Sequence, residues 1–108
     1  MNSFENTGLG ENILKAIASL GFEKTTPIQE STIPILMTSD QDIIATAQTG
    51  TGKTAAFGLP MLHLTDIGDL TTQSLVLCPT RELCIQIALD LTNYAKNMDG
   101  INIVSVYG

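Results

Sequence analysis

Gly50-Thr51-Gly52-Lys53-Thr54 is where the chemistry of this 108-residue chain concentrates. Alternating glycines let the backbone curl so that successive N–H groups point into one concavity, a geometry that holds an oxyanion. A helix starting at Lys53 adds the equivalent of about half a positive charge facing the same anion. Lys53 can then reach the β- and γ-phosphates of a nucleotide. Thr54 offers a hydroxyl to Mg2+, an ion that keeps most of its coordination for water and phosphate oxygens. These two residues are the candidate catalytic pair, and Thr54 is the candidate protein contact to the metal. Ala47 stands where the general G-x-x-x-x-G-K-[ST] pattern begins with glycine, so the pattern is met in relaxed form. A bland alternative for the same residues is a glycine-rich strand-to-helix turn with a solvated lysine.

A phosphate cradle of this kind needs a strand before it and a helix after it. The run 43–47, Ile43-Ile44-Ala45-Thr46-Ala47, has strand composition, and Lys53-Thr54-Ala55-Ala56-Phe57 opens a helix. Further strands are expected at 74–78 and 101–107. Between them Pro79-Thr80 opens a long helix with Leu83, Ile87, Leu91 and Tyr94 on its buried face. Upstream, Leu9, Ile13, Ile17 and Leu20 recur at helical spacing, which predicts an amphipathic helix over 9–20. Gly21 stops it in the left-handed conformation, and Phe22 folds back on its last turn. Thr26-Pro27-Ile28-Gln29 has the spacing of a capping box with proline at the first helical position, so a second helix starts there. Pro34 is expected to kink or end it. Strands alternating with helices imply an α/β domain with a parallel sheet, because parallel neighbours need crossover connections.

Phosphate binding leaves the base unspecified. Gln29 is the candidate reader: its amide sets a donor beside an acceptor and matches the N6-donor, N7-acceptor edge of adenine, where guanine presents O6 instead. Phe22 or Phe4 can cover a face of the ring. The same glutamine completes the capping box with Thr26, and on local sequence alone that reading is favoured.

Gly21-Phe22-Glu23-Lys24-Thr25-Thr26-Pro27-Ile28-Gln29 resembles the Q motif of DEAD-box RNA helicases, with Phe4 upstream at the separation that family uses for its isolated aromatic. In that family Ala47-Gln48-Thr49-Gly50-Thr51-Gly52-Lys53-Thr54 is motif I, where alanine in first place is normal. Pro79-Thr80-Arg81-Glu82-Leu83 followed by Gln86 resembles motif Ia, and Val106-Tyr107-Gly108 the start of a glycine-pair segment. The resemblance spans nearly the whole chain in order and separation. Thr25 stands where the family often has proline, and Cys84 where alanine is usual. It implies an incomplete RecA-like nucleotide-binding fold, with parallel strands alternating with helices over 38–108 and a helical Q-motif segment over 1–37. It also implies ATP and Mg2+ as ligands, contacted by Phe4, Phe22, Gln29, Ala47, Thr49, Gly50, Thr51, Gly52, Lys53 and Thr54. Pro79, Thr80 and Arg81 would meet the sugar-phosphate backbone of RNA without regard to sequence. Read without the family, Thr80 is a helix N-cap beside a surface arginine paired with Glu82 or another acid.

Hydrolysis needs carboxylates to hold Mg2+ and position water, and usually an arginine. The family takes these from its D-E-A-D segment and from a second RecA-like domain, and the 108 residues contain neither. The expectation is an ATP-docking half-site that binds ATP weakly at best and does not turn it over or unwind RNA. A non-enzymatic adenine-nucleotide-binding or interaction module is the alternative. Strands left without their family partners would also leave the isolated chain partly disordered, oligomeric or repacked.

The net charge of −6 excludes long-range attraction as the means of holding phosphate, so local geometry must do it. Most counterion release on RNA would have to come from other parts of a longer protein. Cys78 and Cys84 have neither the count nor the spacing of a disulfide framework or a zinc site, and buried apolar roles are expected for both. His63, Met37 and Met61 are isolated and read as packing or surface. No basic segment leads into an apolar run, and none approaches the roughly 18 apolar residues of a membrane span, so a cytoplasmic location and no membrane partner are expected. The oligomeric state is left open.

Overall fold

The computed structural model describes residues 3–48 and 50–108. A short 3-10 turn at Phe4–Thr7 leads into four helices: α1 (Glu11–Ser19), α2 (Pro27–Thr38), α3 (Lys53–Leu64) and α4 (Arg81–Tyr94).

Helix α1 begins two residues later than its apolar spacing predicts, because Gly10 takes the extended conformation of an N-cap. Its end is as expected. Gly21 sits at φ 90°, Gly21 N–H donates to the Ala18 carbonyl at 3.1 Å, and Phe22 N–H donates to the Ile17 carbonyl at 3.0 Å. Those two bonds satisfy carbonyls that the helix end would otherwise leave open.

Helix α2 starts with the expected capping box, and Gln29 Oε1 accepts from Thr26 N–H at 2.9 Å. It does not end at Pro34 but continues to Thr38. Pro34 lies on the exposed side, where its ring meets no core side chain, while Ile33 beside it is fully buried and anchors the helix. Helices α2 and α3 lie side by side, with Thr32 Oγ1 donating to the Ile28 carbonyl at 2.8 Å and reaching within 3.4 Å of the Ala56 carbonyl on α3. Helices α3 and α4 approach closely at Gly58: a Cβ there would stand 2.6 Å from Leu91 Cδ2.

The core between the helices holds Ile13, Ile17, Ile33, Leu59, Leu62, Ile87 and Leu91. Phe4, Phe22 and Tyr94 extend it as an aromatic row, with ring centroids 5.8 Å apart at each step. Burial first, and then the charge of Asp90, push the Tyr94 hydroxyl up to about 12.

The segments expected as strands are the main departure. Among the described residues, 43–47, 74–78 and 101–107 form no strand ladder, and the one bridge joins Ser3 to Lys24. Val76, Ile101 and Ile103 still pack on the helical core, but their neighbours face outward: Ile44 is 98%, Leu77 85% and Val106 84% exposed. A strand exists only when a neighbour about 4.8 Å away supplies N–H and C=O partners, and no segment does so here. Leu83, expected on the buried face of α4, is 42% exposed for the same reason, since the first turn of α4 has no sheet to pack on. A cleft of about 950 Å³ is left between α3, α4 and the extended segments.

Candidate functional site

The glycine loop leads directly into α3. Gly50 and Gly52 both adopt φ 84°, a left-handed conformation that glycine takes without a Cβ clash, and α3 begins at Lys53 directly after them. The first amides of α3 therefore lack intrahelical partners and face the loop. Lys53 is exposed, and no ion pair to it forms among the described residues. Thr54 is half-buried on the same turn. Ala47 lies at the entry to the loop and is also half-buried. Thr49 lies outside the described residues.

The loop is held from behind by the start of α2. Thr26 Oγ1 donates to the Thr51 carbonyl at 2.8 Å, and Gln29 Nε2 donates to the Gly52 carbonyl at 3.2 Å. The Gly52 carbonyl also accepts from Ala56 N–H at 3.0 Å, so it opens the hydrogen bonding of α3 while Gln29 holds it from the side. Gly52 is required twice, by its positive φ and because a Cβ there would collide with Gln29 Nε2.

Gln29 thus serves the capping box and the loop together, and is buried at 3% exposure. Each end of its amide makes one bond in these contacts, and each has capacity for a second. Of the two aromatics, Phe4 is buried and Phe22 half-buried between Phe4 and Tyr94. Thr26 was legible as a cap, but its tie to Thr51 spans 25 residues of sequence and leaves no local signal.

Away from the glycine loop, Thr80 caps α4, its hydroxyl accepting from Leu83 N–H at 3.1 Å. Pro79, Thr80 and Arg81 are all exposed. Arg81 does not pair with Glu82. Its guanidinium lies 5.4 Å from the Tyr107 ring centroid and donates to the Gly108 carbonyl. The two candidate sites are not merged: one opens α3, the other opens α4, and the contact of Gly58 with Leu91 couples the two helices.

His63, read from sequence as packing or surface, has a definite partner: its Nδ1 accepts from Gly10 N–H at 3.0 Å, pinning the entry of α1 to the last turn of α3. Cys78 and Cys84 are half-buried rather than buried. Among the described residues no three His, Cys, Asp or Glu side chains gather to hold a metal, and no helix is long and apolar enough to cross a membrane.

The family model for DEAD/DEAH box helicases matches residues 26–108. The chain belongs to that family. It is 47% identical to the ATP-dependent RNA helicase CshA of Listeria monocytogenes, covering 100% of this chain and 20% of that protein. It is 47% identical to the ATP-dependent RNA helicase DeaD of Escherichia coli, covering 98% of this chain and 17% of that one. Among solved structures, the DEAD-box chain resembles Dbp5 of S. cerevisiae bound to RNA and ADP BeF3, with a TM-score of 0.87 and 37% identity over 91% of this chain and 25% of that one. It also resembles the RNA helicase Prp28 of Chaetomium thermophilum bound to ADP, with a TM-score of 0.87 and 37% identity over 100% of this chain and 27% of that one. Its fold is RecA-like on this likeness, and it spans about a fifth of the length of the curated relatives.

Proposed function

We propose that these residues are the ATP-docking part of a DEAD-box RNA helicase, which couples binding and hydrolysis of ATP to local opening of RNA duplexes. The observation that supports the reading is the tie from Thr26 and Gln29 to the carbonyls of Thr51 and Gly52, which fixes the glycine loop against the start of α2. In this reading the amides of Gly50 to Thr54 and the Lys53 ammonium hold the β- and γ-phosphates. The Thr54 hydroxyl would be this chain's contact to Mg2+, which when bound would neutralise phosphate charge. A single hydroxyl is enough for an ion that keeps most of its ligands as water and phosphate oxygen, so the absence of a carboxylate cluster among the described residues is compatible with it.

Residues 1–37 supply the adenine end. The second N–H and lone pair of Gln29 address the base, Phe22 covers it, and Phe4 supports Phe22 from the core. Residues 38–108 supply the phosphate end and a RecA-like sheet, in which 43–47, 74–78 and 101–107 become parallel strands alternating with α3 and α4. Pro79, Thr80 and Arg81 meet RNA through its backbone, the free amides of the first turn of α4 adding to the attraction for phosphate. Such contacts work at short range on an acidic, cytoplasmic protein.

The 108-residue sequence holds no D-E-A-D segment, so the chain by itself binds nucleotide without turnover. Equilibrium titration with Mg-ATP and Mg-GTP is the test. ATP is expected to bind at least about tenfold more tightly than GTP, a gap of about 1.4 kcal/mol. Lys53→Ala should abolish binding of both with the fold intact, and Gln29→Ala should narrow the gap. Equal affinities for ATP and GTP, or binding that survives Lys53→Ala, would refute the reading.

A further inference from the structure

We propose that His63 is a positioning residue for the base end of the nucleotide site, anchoring the segment that carries Phe4 to the helix that opens at Lys53. Gly10 is the N-cap of α1, extended at φ −61° and ψ 154°, and has no side chain to bind with. Its carbonyl opens the hydrogen bonding of α1 by accepting from Leu14 N–H at 3.0 Å. Its own N–H lies outside the helix and donates to His63 Nδ1 at 3.0 Å, across 53 residues of sequence. A neutral imidazole that accepts at Nδ1 carries its proton on Nε2, so the bond fixes the tautomer of His63 as well as the path of the chain. Both residues are half-buried, where an N–H left without a partner is costly, and this favours the anchored arrangement.

The anchor matters for what lies on either side of it. Upstream, Ser3 bridges to Lys24, and Phe4 and Leu9 are both buried. Between them Thr7 Oγ1 donates to the Phe4 carbonyl at 2.6 Å and accepts from Leu9 N–H at 3.3 Å, and Gly8 turns the chain at φ 87°. These bonds are local, so they shape the segment without fixing it to the helices. The bond to His63 fixes it where it enters α1. On the other side, α3 runs Lys53–Leu64, which sets His63 about 15 Å along the axis from Lys53. A single helix thereby carries the phosphate contact at its start and the anchor of the aromatic segment in its last turn. Phe4 in turn packs on Phe22, with ring centroids 5.8 Å apart. The effect on nucleotide rests on the ATP-docking reading above, in which Phe22 covers the base, whereas the anchor itself does not.

The test compares the 108-residue chain with His63→Leu, which removes the acceptor, and with His63→Asn, whose Oδ1 stands as many bonds from the backbone as Nδ1 and returns one. In the unchanged chain, NMR should show a scalar coupling between Gly10 N–H and His63 Nδ1, and slow exchange of the Asn6 and Leu9 amides, which bond within the segment. His63→Leu should speed that exchange severalfold and weaken binding of Mg-ADP severalfold, while magnesium tripolyphosphate, which has no base, binds as before. His63→Asn should restore both. Absence of the coupling, or exchange at Asn6 and Leu9 unaltered in His63→Leu, would overturn the anchor. Unchanged ADP affinity in His63→Leu, equal losses for ADP and tripolyphosphate, or no recovery in His63→Asn would overturn the positioning role. Binding of neither ligand by the unchanged chain would overturn the ATP-docking reading and the positioning role with it, while the coupling and the exchange rates still decide the anchor.

Discussion

At the scale of single residues, the site depends on contacts that sit behind it rather than in it. Gly52 illustrates this, because its positive φ and its closeness to Gln29 Nε2 both exclude a side chain. Gly52→Ala should lower the stability of the chain by about 1 kcal/mol or more, seen as a lower midpoint in urea, and should weaken nucleotide binding together with it. An unchanged midpoint would mean that the Gln29 contact does not form. Tyr94 makes a separate prediction through pH. Its folded-state value of about 12 lies above the unfolded value of about 10. The neutral hydroxyl is therefore the form that the fold favours. Its contribution is complete below about pH 10 and is lost as pH rises toward 12. Urea melts across this range should show falling stability that Tyr94→Phe flattens; identical slopes in both proteins would count against a buried Tyr94.

At the scale of elements, the helices were legible and the sheet was not, for one physical reason. A helix satisfies its backbone within itself, so local signals suffice. Gly21 closes α1, Thr26 and Pro27 open α2, and Thr80 opens α4. A strand takes its partners from distant chain, and the apolar runs at 43–47, 74–78 and 101–107 state an appetite for burial without naming the neighbour. Leu83 follows from the same gap, since its spacing marks it for burial against a surface that is not formed here. Pro34 shows the converse: a helix end inferred from one residue gives way when Ile33 and Thr32 hold the next turn against the core. The loop glycines and Lys53 were readable because their types imply their geometry, whereas the Thr26 tie to Thr51 and the His63 tie to Gly10 join residues that only folding brings together. The close packing of α3 on α4 can be tested directly. Gly58→Val would drive branched carbon into Leu91 and should reduce stability by about 1 to 3 kcal/mol, read as a fall in melting temperature, while Gly68→Val in the exposed turn after α3, where a Cβ would meet only the Asp66 side chain, should cost less. Equal losses at the two positions would argue against the helix contact.

At the scale of the whole molecule, the chain packs to a radius of gyration of 13.4 Å, close to the roughly 13 Å of a compact domain of about 100 residues, although its three apolar segments stay unpaired. The compactness comes from the four helices and the aromatic row, and the start of α2 braces the glycine loop. A net charge of −6 gives no help in drawing in a polyphosphate, so any binding must come from the aligned amides and one ammonium group. The most direct measurement is an amide NMR titration of the 108-residue chain with Mg-ADP. The largest saturable shifts should fall on Gly50, Gly52, Lys53 and Thr54, with smaller ones on Thr26 and Gln29 behind them, and Lys53→Ala should remove them. Shifts scattered over the surface without saturation, or none at the start of α3 at high nucleotide concentration, would contradict the account.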